Sequence, residues 1–384
     1  MPLLLWFILG AIIDKSLVNI NALFYPLFFI FAIITTVFST GANISAHRFQ
    51  KSEISRNNEI HTAALIGIFA SIVLSVLILI FMPEFLDFMH DDTTIIREFM
   101  VYATLQFLLY YISFFVLQKL WFVGENKRAN RYTIAFNILI FVGILAAFFA
   151  KNLFGISSVW FVILGGILPL FIFTIWLFAK NFDWPTKWIF RPWNWLKFDA
   201  VDVTQNIFFF VIYLFGLANS FVFGPEWIVL ISFETLVTDA QWEAGGAVNS
   251  AAQIDAAHDE FDYAIHRRNA MIFSVILSIS VIIMFAIFLP FYRANFWLAG
   301  ILIAANIFCF FLNNIYSIQT SYIQVHYGAG ELVANKTFAN ILRTVCSFLP
   351  TPFCTTIGMV VSAIYQYITI GMIYKNKTHR HHKK

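Results

Sequence analysis

Residues 62–82 read "TAALIGIFASIVLSVLILIFM", an apolar run without a single charged side chain. A helix needs roughly 20 mostly apolar residues to cross the hydrocarbon core of a bilayer, and this run is long enough. Similar runs recur elsewhere, for example "FILGAII" at 7–13 and "MIFSVILSISVIIMFAIFLPF" at 271–291. The strands of a membrane β-barrel would instead alternate in polarity over segments of about 10 residues. The sequence therefore predicts an all-α polytopic membrane protein.

The composition supports the same class. Of the 384 residues, 60% are hydrophobic, 12% are charged and 47 are Phe, and the mean hydropathy is +0.78. A soluble domain has too little interior to bury that much apolar surface. The net charge of +3 does not indicate a nucleic-acid partner, because membrane proteins collect Lys and Arg at the cytoplasmic rim. A Walker-type glycine loop is absent from the sequence, and we expect no enzymatic activity.

Twelve segments have the length and polarity of candidate membrane spans. They lie near 2–14, 22–45, 61–82, 96–120, 132–150, 157–179, 202–222, 226–250, 270–290, 295–318, 333–349 and 354–374. The opening segment is interpreted as the first span, because it lacks the basic start and small-residue cleavage site of a signal peptide.

The distribution of Lys and Arg predicts the orientation. Nineteen of the 24 lie in loops on one side, 4 lie on the other side, and Arg343 lies within a span. Cytoplasmic loops carry the excess of Lys and Arg, so we expect both termini in the cytoplasm of a multi-pass protein of the cell membrane.

The two halves of the chain resemble each other. Residues 40–49 align with 245–254, and 124–137 align with 330–343, at offsets of 205 and 206. Because each half has an even number of spans, this pattern predicts a parallel repeat of two six-helix bundles. The predicted divisions are an N-terminal lobe at 1–180, a cytoplasmic linker at 181–201, and a C-terminal lobe with a basic tail at 202–384.

Two loop phrases carry a family resemblance. They are "STGANISAHRFQKSEISRNNEIHTAA" at 39–64 and "LQKLWFVGENKRANRYTIAFNIL" at 117–139. Together with the repeat and the central linker, they resemble the multidrug and toxic compound extrusion (MATE) family. Its wider superfamily includes flippases for lipid-linked precursors. The resemblance implies a cation-coupled antiporter that exports bulky amphipathic compounds by alternating access.

The acids that the resemblance would assign to coupling are mostly missing. Asp14 in "IIDKSLVNINA" matches an acid near the end of the family's first helix, although Lys15 and Asn19 depart from the pattern. In span 5, Asn137 is followed four residues later by Phe141, where one branch of the family has an acid. The coupling role of Asp14 is therefore one of several hypotheses.

The eighth predicted span, 226–250, contains "ISFETLVTDAQWEAGGAVNS" at 231–250. An intramembrane carboxylate costs roughly 2.5–3.5 kcal/mol at a helix centre, which makes Glu234, Asp239 and Glu243 candidates for cation coupling. Asp239 and Glu243 are one turn apart and share a face, whereas Glu234 shares the opposite stripe with Gln241. Such acids could bind Na⁺, or one of a repelling pair could hold a proton. The structural alternatives are an ion pair of Asp239 or Glu243 with Arg343, or solvation of Glu243 at the cytoplasmic rim.

Polar side chains in other spans are candidates for lining a substrate cavity, where aromatic rings and amides suit flat amphipathic compounds. They are Gln106, Tyr110, Asn137, Gln241, Asn313, Asn314 and Tyr316. The alternative for each is a hydrogen bond between helices, worth about 0.6 kcal/mol on average.

Taken together, the residues and the resemblance predict a Na⁺- or H⁺-coupled exporter of small amphipathic organic compounds, working as a monomer in the bilayer. We expect no cofactor beyond the coupling ion and no metal centre, since Cys309, Cys346 and Cys354 have no metal-binding spacing. The alternatives are a flippase for a lipid-linked precursor, which would need a cluster of cationic side chains within the spans, and a non-transporting relative.

Overall fold

The computed structural model describes most of the chain. The described residues are 17, 19–91, 93–122, 125–155, 157–224, 226–232, 234, 241, 248, 252, 255, 256, 260–292, 295–327 and 330–381. Within these ranges the regular structure is entirely helical, with no strand.

Long helices follow one another along the chain. They are α1 (Asn19–Phe49), α2 (Glu53–Ile80), α3 (Met82–Phe88), α4 (Thr94–Phe122), α5 (Asn126–Phe154), α6 (Ser158–Asn181), α7 (Pro192–Phe221), α8 (Tyr263–Tyr292), α9 (Phe296–Tyr327), α10 (Gly330–Ser347) and α11 (Cys354–His381). Helices α1 and α6 each contain a π turn, at Thr36–Gly41 and Ile163–Ile167. Between α7 and α8, the described residues of segment 226–256 are also helical.

Nine helices of the described ranges are long and apolar enough to cross a membrane, which confirms the predicted class. Helix α10, the predicted eleventh span, is not among them, and it carries Glu331, Lys336 and Arg343. Large apolar side chains cover the outer faces of the long helices, including Phe69 at 67% exposure in α2 and Ile276 at 56% in α8. Such faces suit lipid better than water.

The chain forms two compact units, Met1–Phe210 and Val211–Lys384. In the first unit, α2 packs on α4, α4 packs on α6, and α5 packs on α6 at its π turn. In the second unit, α8 packs on α9, α9 packs on α11, and α10 packs on α11. The same packing order therefore occurs twice, with helices in the same sequence, as the predicted internal repeat requires.

The segment that joins the two halves is partly helical. Residues 182–191 are non-helical, whereas 192–201, which lie in the predicted linker, already belong to α7. Pro192 is the first residue of that helix, where its fixed φ and missing N–H are tolerated.

The start of α2 holds this linker through buried polar side chains. The side chain of Asn58 exchanges hydrogen bonds with Thr186, whose backbone N–H donates to Asn58 Oδ1 at 3.0 Å. The backbone N–H of Ile189 donates to Thr62 Oγ1 at 3.3 Å. We refer to Asn58, Glu59 and Thr62, with their partners in the linker and α7, as the linker clamp.

Glu59 is the centre of the linker clamp. Its side chain is fully buried, at 0% exposure. Its Oε1 accepts hydrogen bonds from Ser45 Oγ at 2.7 Å and from Trp195 Nε1 at 2.9 Å, and its Oε2 accepts from Gln50 Nε2 at 2.6 Å. Neutral donors thus meet at one carboxyl group from three places: Ser45 in α1, Gln50 directly after α1, and Trp195 in α7. These bonds tie the linker to the first unit.

Candidate functional site

Two polar residues of segment 226–256, Glu234 and Gln241, contact other helices of the second unit. They are seven residues apart, a spacing that brings two side chains to one face of an α-helix. Glu234 Oε1 accepts a hydrogen bond of 2.7 Å from Asn306 Nδ2 in α9.

The surroundings of Glu234 contain both polar and ionisable groups. Asn306 is 3% exposed, and Cys309, almost one turn further along α9, is fully buried. Glu234 and Arg343 are both close enough to act electrostatically on the Cys309 thiol. Asn306 lies ten residues after the first residue of α9, or about 15 Å along the helix, inside the candidate membrane span Phe296–Ile323.

Arg343 interacts with an aromatic side chain in α7. One guanidinium nitrogen donates a 2.9 Å hydrogen bond to the Tyr213 hydroxyl, and the guanidinium carbon lies 5.5 Å from the centre of the same ring. Sequence analysis proposed Asp239 or Glu243 as the partner of Arg343, and both acids lie outside the described residues. The second unit therefore contains a carboxyl group at Glu234 and a guanidinium group at Arg343, each hydrogen-bonded to a side chain of a neighbouring helix.

A second polar contact region lies between the segment, α8 and α9. Gln241 Nε2 donates to Ser278 Oγ at 3.2 Å, and Asn314 Nδ2 donates to Ser274 Oγ at 2.7 Å. The two serines are one turn apart on α8, and all four side chains are buried. These bonds fix the segment and α9 to the same face of α8.

The other predicted site residues are distributed over both units. Asp14, Asp239 and Glu243 lie outside the described residues, so their coupling roles stay predictions. Gln106 is fully buried in α4, and Tyr316 belongs to an apolar cluster in the second unit. The remaining predicted cavity residues are half-buried: Tyr110, Asn137 and Asn313. Their lining role also stays a prediction.

Two polar groups in the first unit were not singled out by sequence analysis. Lys119 lies in α4 with its Nζ 2.7 Å from Nε2 of His61, and His61 is 2% exposed. Asn19 Nδ2 donates to Asp91 Oδ2 at 3.0 Å, and both side chains are buried. The only sign of these contacts in the sequence was a polar residue next to a long apolar run. The partners themselves could not be predicted, because Lys119 and His61 are 58 residues apart and Asn19 and Asp91 are 72 residues apart.

The oxygen atoms around Glu234 are of the type that Na⁺ binds. Carboxylate and amide oxygens are hard ligands, and Glu234 and Asn306 supply both kinds. Among the described residues there is no cluster of three His, Cys, Asp or Glu side chains that would suit a transition metal. The chemistry that this arrangement permits is the reversible binding of a small cation or a proton.

Comparisons with solved structures identify the fold. The chain is similar to a multidrug resistance MATE family transporter of the MOP superfamily in its inward-facing conformation, with a TM-score of 0.66, 13% identity, and coverage of 98% of this chain and 93% of that one. The outward-facing conformation of such a transporter gives a TM-score of 0.58, 14% identity, and coverage of 99% and 92%.

The lipid II flippase MurJ, in an inward closed conformation, gives a TM-score of 0.67, 12% identity, and coverage of 97% of this chain and 86% of that one. At such identities the similarity establishes the fold that these transporters share. No family model matches the sequence, and no curated protein matches it.

Proposed function

We propose that this chain is a secondary transporter that exports small amphipathic organic compounds in exchange for Na⁺ or H⁺ by alternating access. The observation that carries the proposal is the Glu234 carboxyl group, held by Asn306 about 15 Å along α9. A carboxyl group at such depth is costly, and its usual use is in an ion or proton pathway. The shared fold with a multidrug resistance transporter agrees with this assignment.

Arg343 gives the coupling a physical basis. A cation or a proton bound at Glu234 changes the net charge of a site that also contains a guanidinium group nearby. In a medium of low dielectric constant, that change alters the relative stability of conformations that bring the two groups closer or further apart. The ion can drive transport only by this difference in affinity between conformations.

Transport by the purified protein in proteoliposomes tests the proposal. Na⁺ and proton gradients are imposed separately, and the movement of a fluorescent aromatic cation is followed for wild type and for Glu234→Gln. We expect gradient-driven transport to fall at least tenfold in Glu234→Gln, a change that corresponds to about 1.4 kcal/mol, because the amide lacks the negative charge that attracts a cation or a proton. The gradient that drives the wild type identifies the coupling ion.

Matched variants separate coupling from folding. Glu226→Gln removes an exposed carboxylate from the same segment and should transport as wild type does. Glu234→Asp, which keeps the charge, should recover part of the activity. Asp239→Asn is measured beside them. Wild-type transport by Glu234→Gln under both gradients would remove Glu234 from the mechanism.

A flippase for a lipid-linked precursor is the second candidate, and two observations favour it. The fold is also that of the lipid II flippase MurJ. Cationic groups occur in both units, at Lys119 beside His61 and at Arg343, and could attract a pyrophosphate. Flipping of a fluorescent polyprenyl pyrophosphate in the same vesicles, without movement of the aromatic cation, would favour this candidate over export.

A further inference from the structure

The surface next to the linker clamp is unusually rich in exposed aromatic rings. Trp184, Trp188, Phe190 and Trp193 are 74%, 62%, 63% and 81% exposed. Such side chains are too large and too apolar to face water without a reason, and Trp is enriched at the level of lipid headgroups.

Basic side chains accompany these rings. Within 47–54 and 180–197, the basic residues are Arg48, Lys51, Lys180, Lys187, Arg191 and Lys197, and the exposed acids are Glu53 and Asp183. Two of the basic groups lie over aromatic rings: Arg191 is 5.9 Å from the centre of Phe49, and Lys180 is 5.3 Å from that of Trp176. We call the exposed side chains of 47–54 and 180–197 the basic aromatic platform.

The platform is held in one place by the linker clamp. Thr186 and Ile189 are bonded to the side chains of Asn58 and Thr62, and Trp195 is bonded to Glu59. Residues 182–191 therefore have a fixed conformation although they are not helical. A binding surface gains affinity when its side chains are already ordered before the ligand arrives.

The position of the platform relative to the spans decides what it meets. It includes the turn between the spans Asn19–Phe49 and Glu53–Ile80, and it follows the end of the span Ser158–Asn181. Chain segments that join spans at their ends lie in the headgroup layer of a bilayer. The ligand available to this surface in that layer is a lipid headgroup, and the excess of basic over acidic side chains selects an anionic one.

We propose that the basic aromatic platform is a binding site for anionic phospholipid headgroups. Lys187 and Arg191 contact the phosphates, and the tryptophans anchor the surface at the level of the ester groups. Each basic residue close to an anionic lipid surface contributes enough to change the relative affinity for anionic lipid roughly fivefold. This proposal does not depend on the transported compound or on the coupling ion.

Native mass spectrometry of the purified full chain tests the proposal. The protein is equilibrated in micelles with equal amounts of phosphatidylglycerol and phosphatidylcholine, and the bound lipids of each class are counted. Wild type should be enriched in phosphatidylglycerol. K187Q/R191Q should lose most of that enrichment, whereas R267Q/R268Q, which removes an exposed basic pair from the start of α8, should keep it.

A second pair of substitutions tests the aromatic part. W184A/W193A should bind less of both lipids, while the ratio between the two lipid classes stays close to that of wild type. The reason is that the aromatic rings bind lipid regardless of the charge of its headgroup. The thermal unfolding midpoint of each variant shows whether the fold is retained. Equal enrichment in wild type and K187Q/R191Q would overturn the proposal. An equal loss of enrichment in R267Q/R268Q would also overturn it, because any exposed basic pair would then have the same effect. Binding of an acidic peptide without enrichment of phosphatidylglycerol would overturn it as well.

Discussion

Glu59 and Glu234 are both carboxyl groups within helical units, but their surroundings suit different roles. Glu59 is fully buried, and neutral donors bond both of its oxygens. Glu234 is half-buried and lies in a region that also contains Arg343. A carboxyl group bonded on all sides by neutral donors rigidifies its neighbourhood, whereas the charge state of one near a cationic group can respond to an ion. We therefore assign Glu59 to structure and Glu234 to coupling.

Substitution of Glu59 should destabilise the first unit. Glu59→Leu leaves the buried donors of Ser45 and Trp195 and the half-buried amide of Gln50 without this acceptor, at a cost of about 1–3 kcal/mol for each buried donor. Glu59→Gln keeps one oxygen and should lose only about 1 kcal/mol. The order of thermal unfolding midpoints in detergent should be wild type, Gln, then Leu.

The control for this series is Glu53→Gln, which alters an exposed carboxylate in the first turn of the same helix. It should change the midpoint little, since exposed positions contribute within about 0.5 kcal/mol. A double-mutant cycle of Glu59→Gln with Trp195→Phe should give a coupling energy above about 0.5 kcal/mol. Additive effects of the two substitutions would contradict the bond between them.

The sequence predicted Glu234 as a candidate and did not predict Glu59. Glu234 interrupts an apolar run, so its cost in a membrane is visible in the sequence alone. Glu59 lies in the polar phrase "SRNNEIHT" before the span, where solvation was the simple interpretation. Its burial depends on Trp195, which is 136 residues away, and a contact at that separation has no local signal.

Among the helices, α7 forms hydrogen bonds with different parts of the chain at its two ends. Trp195, near its start, bonds Glu59, whereas Asn219, near its end, donates to the Ser347 carbonyl at 2.7 Å. The boundary between the two compact units falls within this helix, after Phe210. The sequence predicted a span at 202–222. It did not predict the helical turns that precede this span in α7, because the Trp and Pro residues of 184–195 resemble those of an irregular interfacial loop.

Gly216 permits the close packing of α7 in the second unit. A Cβ atom at this position would overlap Cγ2 of Thr355 and would lie 3.3 Å from Cβ of Ser347. Gly216→Ala should lower the thermal unfolding midpoint, because overpacking costs typically 1–3 kcal/mol and exceeds the gain in helix propensity of roughly 0.5–1 kcal/mol.

Gly300 in α9 is the matched comparison for this substitution. A Cβ atom there would meet nothing within 4 Å, so Gly300→Ala gains helix propensity without a clash. Its midpoint should equal or slightly exceed that of wild type. The same midpoint for both alanine variants would show that Thr355 and Ser347 move aside at no cost.

For the whole molecule, the internal repeat was predictable because spans, loops and weak sequence similarity share one period. Helices α2, α4, α5 and α6 correspond in order to α8, α9, α10 and α11, and the contacts within each unit follow that order. The hydrogen-bonded partners were not predictable. Asn306 for Glu234 and Tyr213 for Arg343 are far apart in sequence, and only helix packing brings them together.

The positive-inside pattern makes a prediction about sidedness. In a variant with Cys309, Cys346 and Cys354 replaced by Ala, single cysteines at Lys187 and Lys377 should react with an impermeant maleimide only in inverted vesicles, because basic loops stay in the cytoplasm. Cysteines at Glu84 and Phe296 should react in intact cells.

All four positions are partly or fully exposed in the structure, so burial does not limit the reaction. Labelling of Lys187→Cys and Glu84→Cys from the same side would contradict the assigned topology. If each of the four positions reacted from the side opposite to the expected one, the span count would stand and the orientation of the protein in the membrane would be inverted.

The linker clamp also affects how the chain could be divided. A cut between Lys187 and Trp188 would leave Thr186 bonded to Asn58 on its own fragment, while Ile189 and Trp195 of the other fragment would still bond Thr62 and Glu59. The new ends would thus stay docked by groups on both polypeptides. The linker is therefore a natural break point for producing the protein as two separately encoded halves that reassemble in the membrane.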